Sequence, residues 1–196
     1  NLSGDKNNLT VKDLSFNFAD KLKGKTSVVV KDFAKPSYSG SLDLEKFNLN
    51  QLLDSLNIAV AARKNKPLLN NFAISSNGFS GDMQNISLKG LQISAGDSLK
   101  ASFGTLRVQN FSNPSVSGDV SLPTFNLNQT LDGLGIAVAE RKNKPLLNSF
   151  AFSGGFNATP TAANLSNVKI SAGGLVNATL GKLAVQHFTK PSVNGD

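Results

Sequence analysis

The sequence predicts a mainly β protein: a tandem-repeat, elongated and curved antiparallel sheet of trough-like form, with one short amphipathic helix in each repeat of about 78 residues. The first supporting observation is a phrase that occurs twice, ARKNKPLLN at 62–70 and ERKNKPLLN at 140–148. The second is the alternation of apolar and polar residues over most segments, which is typical of strands with one face in water. The third is composition: a hydrophobic content of 39% is too high for a disordered chain, and no apolar run is long enough to cross a bilayer.

The length of the repeat is set by recurring landmarks. The phrases FAKPSYSG, FSNPSVSG and FTKPSVNG begin at Phe33, Phe111 and Phe188, which lie 78 and 77 residues apart. Residues 47–74 match residues 125–152 at 22 of 28 positions. We therefore expect one continuous array and a parent protein longer than this chain. Its predicted parts are a partial repeat over 1–40, a complete repeat over 41–118, and a second repeat over 119–196 that ends in the first strand of a further one.

Each repeat begins with a predicted strand. SVSGDVSLPTF places Val116, Val120 and Leu122 on one face and polar residues on the other, and YSGSLDL at 38–44 alternates in the same way. Such alternation predicts a strand that is wet on one side only. Pro123 has no backbone N–H, so we expect it at a strand end or at an unpaired edge position.

A short helix is predicted after this strand. Apolar residues follow at i, i+3, i+4 and i+7, namely Leu49, Leu52, Leu53 and Leu56. Asn48 is a suitable N-cap, and Gly133-Leu134-Gly135 of the second copy would unwind the helix end. So short a helix is not stable alone in water, so we expect it to pack on the sheet.

A basic loop and three further strands complete the predicted repeat. In the second copy the strand-like runs cover about 147–156, 163–172 and 176–188. The shared spacing Leu-x-x-Leu-x-Ile interrupts the two-residue period once. A bulge or tight turn at Asp13, Gly90 and Asn167 would explain the interruption.

The pattern resembles that of the AsmA family, whose relatives include the TamB-like proteins of bacterial envelopes. The elements that carry the resemblance are a strand ending in F-x-K-P, the helix phrase FNLNQLLDSLNI and the spacing L-x-x-L-x-I-S-A-G. A family phrase of the form F-D-L-x-x-L-L-x-x-L-G-I maps onto Phe47, Leu49, Leu52, Leu53, Leu56 and Ile58, and again onto Phe125, Leu127, Leu131, Leu134 and Ile136. The resemblance covers nearly the whole chain.

The resemblance implies a periplasmic protein whose parent is anchored in the inner membrane by a segment outside this sequence. It also implies a role in envelope maintenance, with phospholipid or a membrane surface as partner. An apolar sheet face must be covered by something, and acyl chains can cover it, since each buried CH₂ contributes about 0.8 kcal/mol. The lipid-binding candidates on this face are Leu42, Leu44, Ile86, Leu88, Ile93, Val116, Val120, Leu122 and Ile170.

Two cationic triplets lie in the basic loops between helix and strand. One interpretation is a solvated connector, in which Pro67 and Pro145 direct the chain into the next strand. The other is a ladder of cations that contacts lipid phosphates, because each Lys or Arg near an anionic surface adds about 1 kcal/mol of attraction. The headgroup candidates are Arg63, Lys64, Lys66, Arg141, Lys142 and Lys144.

The residues give little support for catalysis, and we predict no enzyme activity, no catalytic residue, no metal site and no cofactor. The chain has no Cys and a single His. That His187 occupies a repeat position held elsewhere by Asn110 and Asp32, which is typical of a loop residue. Asp54 and Asp132 recur on the polar face of the predicted helix. The net charge of +7 is dispersed along the chain, so we expect no nucleic-acid partner.

A second class of function fits the same residues. Nearly identical repeats also occur in the extended stalks of bacterial surface adhesins, where the interior would be dry and closed rather than an accessible apolar furrow. In either class, open sheet edges allow self-association, because unpaired backbone groups accept further strands.

Overall fold

The computed structural model describes residues 1–58, 67–136, 144–186 and 192–195, with the backbone alone described for Lys144 and for 192–195. Its twelve strands form one antiparallel sheet in which neighbours in space are neighbours in sequence, from β1 to β12. No described pairing joins β1 to β12, so the described sheet is open. The predicted fold class is confirmed.

The strands and helices follow one another at short intervals. The first six strands are β1 Leu2–Gly4, β2 Asn8–Phe18, β3 Leu22–Lys31, β4 Ser37–Leu44, β5 Phe72–Gly81 and β6 Asn85–Ala95. The remaining strands are β7 Leu99–Gln109, β8 Ser115–Phe125, β9 Phe150–Ala158, β10 Ala162–Ala172, β11 Val176–Gln186 and β12 Ser192–Gly195. The helices are α1 Leu49–Ser55, a 3₁₀ turn at Pro67–Asn70, α2 Leu127–Gly133 and α3 Lys144–Leu147. The predicted order of strand, helix and three strands therefore occurs twice.

The sheet has one apolar and one polar face. Residues directly opposite each other in an antiparallel pair project from the same face, so pairings can be followed from strand to strand. One such row from β2 to β11 is apolar throughout: Val11, Val28, Gly40, Phe79, Leu88, Leu106, Gly118, Phe156, Leu165 and Leu183. The adjacent row on the other face is mostly polar: Thr10, Val29, Ser39, Ser80, Ser87, Arg107, Ser117, Asn157, Asn164 and Ala184.

The predicted interruption of the two-residue period is present in all three copies. Asp13, Gly90 and Asn167 have φ of 53°, 57° and 49°, the left-handed region of backbone space. A residue of this kind breaks the alternation once, which returns the next apolar side chain to the same face. Leu88 and Leu91 therefore both project from the apolar face of β6, although three positions separate them.

Single-residue differences between copies are absorbed at irregular pairings. β5 has 10 residues and β9 has 9, and the pairing of β4 with β5 shifts register between Gly40 and Leu42. The longer strand contains Ser76 at this point, which is buried and whose Oγ lies 3.0 Å from the carbonyl oxygens of both Gly78 and Lys89. The spacing of equivalent residues therefore changes from 78 to 77 along this strand, while the apolar residues on either side keep their face.

Pro123 has no backbone N–H to donate, and it lies at a position with no described pairing to either neighbouring strand. The last described β7–β8 pair is Ser102 with Ser121, so β8 has passed the end of its pairing with β7 at this point. On the other side, the pairing of β8 with β9 shifts register between Leu122 and Phe125. The expectation of an unpaired or terminal position is thus met.

The two longer helices have the predicted caps. Asn48 and Asn126 accept hydrogen bonds at their side-chain oxygens from Gln51 N (3.0 Å) and Gln129 N (2.9 Å). At the other end, Asn57 and Gly135 have φ of 52° and 59°. The next amides, of Ile58 and Ile136, donate to the carbonyls of Leu53 and Leu131, each at 2.9 Å, which is the Schellman arrangement.

One detail of the predicted helix stripe is wrong. Leu56 is the C-cap rather than a helical residue, because the helix ends at Ser55, and Leu56 is 46% exposed. Leu52 alone of the predicted stripe is buried. The helices lie along one rim of the sheet, where the buried apolar side chains are Phe47, Leu52, Leu68, Ala95, Phe125 and Ala172.

Candidate lipid-binding face

All nine lipid-binding candidates lie on the apolar face. Val116, Val120 and Leu122 alternate along β8, and Val116 connects through its pairing partner Val108 to Ile86 on β6. Similarly, Leu122 is opposite Phe152, which is opposite Ile170. The nine are partly buried: Leu42, Leu44, Ile86, Leu88, Ile93, Val116, Val120, Leu122 and Ile170.

A second layer does not lie over this face in the described parts of the chain. The twelve strands belong to one sheet, and the two longer helices and the 3₁₀ turn contact one another along the rim. As a result, none of the large side chains described is less than 2% exposed. The face is therefore half-buried by neighbouring side chains alone.

The apolar face carries aromatic rings that contact each other across a strand. Phe103 on β7 and Phe156 on β9 are separated by β8, a distance of about 9.6 Å at the usual strand spacing. Their ring centroids are only 6.3 Å apart, so the two rings lean toward each other over β8. Leu91 is 6% exposed and Val168 is 3% exposed on the same face. These side chains therefore fill the apolar face around its centre.

Glycines on the strands let neighbouring side chains lie flat on the sheet. A Cβ built on Gly40 would come within 2.7 Å of the Phe79 ring, and one built on Gly24 within 2.9 Å of both Phe16 and Leu44. The nearest atoms to these Cβ positions are backbone carbonyl oxygens, of Ser27 at Gly40 and of Asp43 at Gly24. Replacement by any larger residue would therefore displace the neighbouring strand as well as these side chains.

The strand cavities lie on the opposite, polar face, and sequence reasoning missed them. Two equivalent grooves of about 380 and 420 Å³ recur in the two repeats. Polar-face side chains line them: Asp43, Ser75, Gln92, Ser94, Lys100 and Ser102 in the first, and Ser121, Ser153, Lys169, Ser171, Asn177 and Thr179 in the second. The small Ser residues at alternate positions were the available signal. Four of the lipid-binding candidates, Leu44, Ile93, Leu122 and Ile170, also contribute to the lining of these grooves.

The rims carry polar turns with ordered carboxylates. At the rim opposite the helices, Asp82 accepts hydrogen bonds from the backbone N–H groups of Gln84 and Asn85 at 2.8 and 2.9 Å. These donors, with the Asn85 side chain, hold the pKa of the Asp82 carboxyl below its ordinary value. Asp5 occupies the equivalent turn before β2, and its pKa is lowered by the same kind of contact with Asn7 and Asn8. Both carboxylates therefore stabilise their turns by accepting backbone hydrogen bonds.

The predicted headgroup residues cannot be placed on the structure. Arg63, Lys64, Lys66, Arg141 and Lys142 lie outside the described residues. Lys144 is the first residue of α3, and its side chain is outside the description. The cation ladder therefore stays a prediction.

The described residues contain no group of three or more side chains suited to a metal ion. His187 lies outside them, but its equivalents Asp32 and Asn110 are turn residues with φ of 55° and 54°. Asp54 and Asp132 are exposed on their helices. Within the same residues, the helices are all too short or too polar to cross a bilayer.

Comparison of this chain with protein-family profiles, with curated proteins and with solved structures found no match.

Proposed function

We propose that this chain is a non-enzymatic, AsmA-like module that binds or conducts phospholipid along its apolar face. In this proposal it works in the periplasm in envelope maintenance, within a parent protein anchored in the inner membrane. The support is physical for the binding surface and rests on the resemblance of the helix and strand phrases for the location. Phospholipid is the partner, and no step of chemistry is required of the protein.

The observation that carries the proposal is the apolar face without a second layer in the described residues. Its cross-strand rows run over successive strands, from Val11 on β2 to Leu183 on β11, without a charged side chain in that row. A hydrocarbon chain laid along the rows would be removed from water at about 0.8 kcal/mol per CH₂. Because this attraction needs no polar contact, the lipid could slide between equivalent repeats.

A photo-crosslinking experiment tests the proposal. The purified protein is incubated with vesicles that contain a phospholipid bearing a photoactivatable group on its acyl chain, and crosslinked peptides are mapped by mass spectrometry. We expect crosslinks on β8 and its neighbours at apolar-face residues such as Val120 and Leu122. The adjacent polar-face residues Asp119 and Ser121 provide the internal control, because successive side chains of a strand project from opposite faces.

A matched pair of variants makes the test sharper. Val120→Asp places a charge on the apolar face, and Ser121→Asp places the same charge next to it on the polar face. We expect Val120→Asp to reduce acyl crosslinking several-fold while Ser121→Asp leaves it unchanged, with circular dichroism used to confirm that both retain the sheet. Crosslinks spread equally over both faces, or none at all, would contradict lipid binding.

A structural repeat of a surface adhesin or stalk is the second candidate, and one observation favours it. The centre of the apolar face is filled by Phe103 and Phe156, which is the dry interior that a stalk requires. Co-purification distinguishes the two functions: phospholipid detected by native mass spectrometry supports the first, and lipid-free protein that also fails to crosslink supports the second.

A further inference from the structure

The basic residues of the strands collect on one face of the sheet, although they are dispersed along the sequence. The described strands contain nine Lys and Arg side chains, all exposed: Lys12, Lys23, Lys25, Lys31, Lys89, Lys100, Arg107, Lys169 and Lys182. Strand alternation and cross-strand pairing place each of them on the polar face. The acidic residues of the same strands are three, Asp13, Asp43 and Asp119.

Most of this positive charge is not neutralised by the described residues. Among them, Lys23 alone of the nine forms an ion pair, with Asp20 at 3.7 Å. Charges of one sign on one surface produce a field that attracts ions of the opposite sign, and it extends about 8 Å at physiological ionic strength. The polar face is therefore complementary in charge to an anionic partner.

Three grooves on the polar face join into one. Their volumes are about 380, 350 and 420 Å³, and the first two share Ser102. The last two share Ser121, Ser153 and Lys169. A row of paired polar side chains runs through all three grooves: Asp43, Ser75, Gln92, Ser102, Ser121, Ser153, Lys169 and Thr179. This joined polar groove crosses the strands from β4 to β11, about 34 Å at the usual strand spacing.

Each repeat supplies the polar groove with one Lys and one amide. The first repeat has Gln92 on β6 and Lys100 on β7, and the second has Lys169 on β10 and Asn177 on β11. Gln92 is equivalent to Lys169, and Lys100 to Asn177, so the two residue types have exchanged strands. Both halves of the groove nevertheless combine a cation, an amide and several hydroxyl groups.

We propose that the polar groove binds a linear acidic polysaccharide laid across the strands. Ser hydroxyls, the amides and the carboxylates of Asp43 and Asp119 form hydrogen bonds with the sugar hydroxyls. Lys100 and Lys169 pair with the acidic groups of the polymer. The other cations of the face, such as Lys25 opposite Asp43, add attraction at longer range.

Two features favour a polysaccharide over other polyanions. Proteins that bind single-stranded nucleic acids stack the bases on aromatic side chains. The aromatic residues of the described strands all project from the apolar face, so the described polar groove has no stacking platform. A bilayer surface contacts the most prominent side chains and cannot enter a groove, whereas a single sugar chain can.

Fluorescence anisotropy with a labelled oligogalacturonate, a linear oligomer of an acidic sugar, tests the proposal. We expect the protein to bind it, and to bind it less tightly as added salt screens the charges. The double variant Lys100→Glu with Lys169→Glu should weaken binding several-fold. The control is Lys6→Glu with Lys35→Glu, which changes the net charge equally at exposed turn residues and should have a much smaller effect. Circular dichroism confirms that both variants retain the sheet.

Four outcomes would overturn the proposal. The first is absence of binding, and the second is an equal loss of affinity in both double variants, which would show attraction by net charge rather than by the groove. The third is equal affinity for the methyl-esterified oligomer, which lacks the acidic groups. The fourth is tighter binding of poly(dT) or of phosphatidylglycerol vesicles, with the same loss in Lys100→Glu with Lys169→Glu, which would assign the face to nucleic acid or to a membrane.

This inference concerns the face opposite to the lipid-binding candidates and does not rest on the proposed function. We expect Ser121→Asp to weaken oligogalacturonate binding more than Val120→Asp does, the reverse of their order in acyl crosslinking. The same order in both experiments would contradict the assignment of the two faces. A protein that binds the sugar oligomer but fails acyl crosslinking would retain the polar groove and lose the proposed function, and the converse result would discard the polysaccharide.

Discussion

Individual residues fix where the chain leaves regular geometry. The left-handed conformation recurs at equivalent sites, but the residue there differs between copies: Asp13, Gly90 and Asn167 in the bulges, and Asn57 and Gly135 at the helix ends. Non-glycine residues adopt this conformation at a cost of roughly 1 kcal/mol, and Asn and Asp tolerate it best. The bulges could be predicted because a single break in the two-residue period, occupied by Gly, Asn or Asp, is typical of a bulge.

Substitutions at Asn57 and Gly135, the residues with positive φ at the two helix ends, test the free-energy cost of that conformation. We expect Asn57→Gly to raise the free energy of unfolding by about 0.5–1 kcal/mol and Gly135→Ala to lower it by about 1 kcal/mol, because only glycine reaches positive φ without strain. Urea unfolding measures both changes in the free energy of unfolding, provided that this free energy falls with urea concentration at the same slope in each variant. Gly104→Ala is the control, since Gly104 has no positive φ and a Cβ there would meet nothing within 4 Å. A loss of stability at Gly104 as large as at Gly135 would contradict a role for positive φ.

At the scale of the element, each strand keeps its face while its length varies. Periodicity was sufficient to predict the strands, the helix and its Asn48 cap, because each of these is determined by neighbours in sequence. The leaning of Phe103 toward Phe156 over β8 could not be predicted, because it depends on side chains more than fifty residues apart. The polar-face grooves were missed although the small Ser residues at alternate positions were a signal for them.

Deletions in β5 and β8 test whether the irregular pairings absorb length. Removing Ser76 together with Asn77→Gly gives β5 the length and central glycines of β9, so we expect a folded sheet with a modest loss of stability. Removing Ser117, which is regularly paired with Arg107 and Asn157, moves the residues on one side of it to the wrong face, and we expect unfolding or aggregation. Circular dichroism and thermal unfolding compare the two. Equal tolerance of both deletions would refute the role of the irregular pairings.

The whole molecule is a one-dimensional array in which each strand contacts its two sheet neighbours. In such an array stability is close to a sum of local contributions and is lowest at the ends. Repetition of the sequence predicted this architecture, and the alternation predicted which face is apolar. The occupant of that face is not specified by any motif, since apolar attraction has no directional partner.

Hydrogen exchange measures this gradient directly. We expect amide protection to be highest in β6 to β9 and to decline toward β2 and β11, although β2, β6 and β10 have closely similar pairing patterns. Mass spectrometry compares hydrogen exchange in these equivalent strands. Because their pairing patterns are similar, a difference in protection reports the position of the strand in the array. Uniform protection from β2 to β11 would mean that the sheet unfolds as a single cooperative unit instead.

The one-residue difference between β5 and β9 also bears on how such a chain can change over generations. Loss or gain of a single codon within a regularly paired strand moves the rest of that strand to the opposite face of the sheet. At Ser76 the irregular pairing accommodates one extra residue. A copy of 78 residues can therefore become a copy of 77 residues and still pair with the neighbouring strands. Duplicated copies can therefore drift in size independently, and unequal recombination between them would still yield a chain that folds.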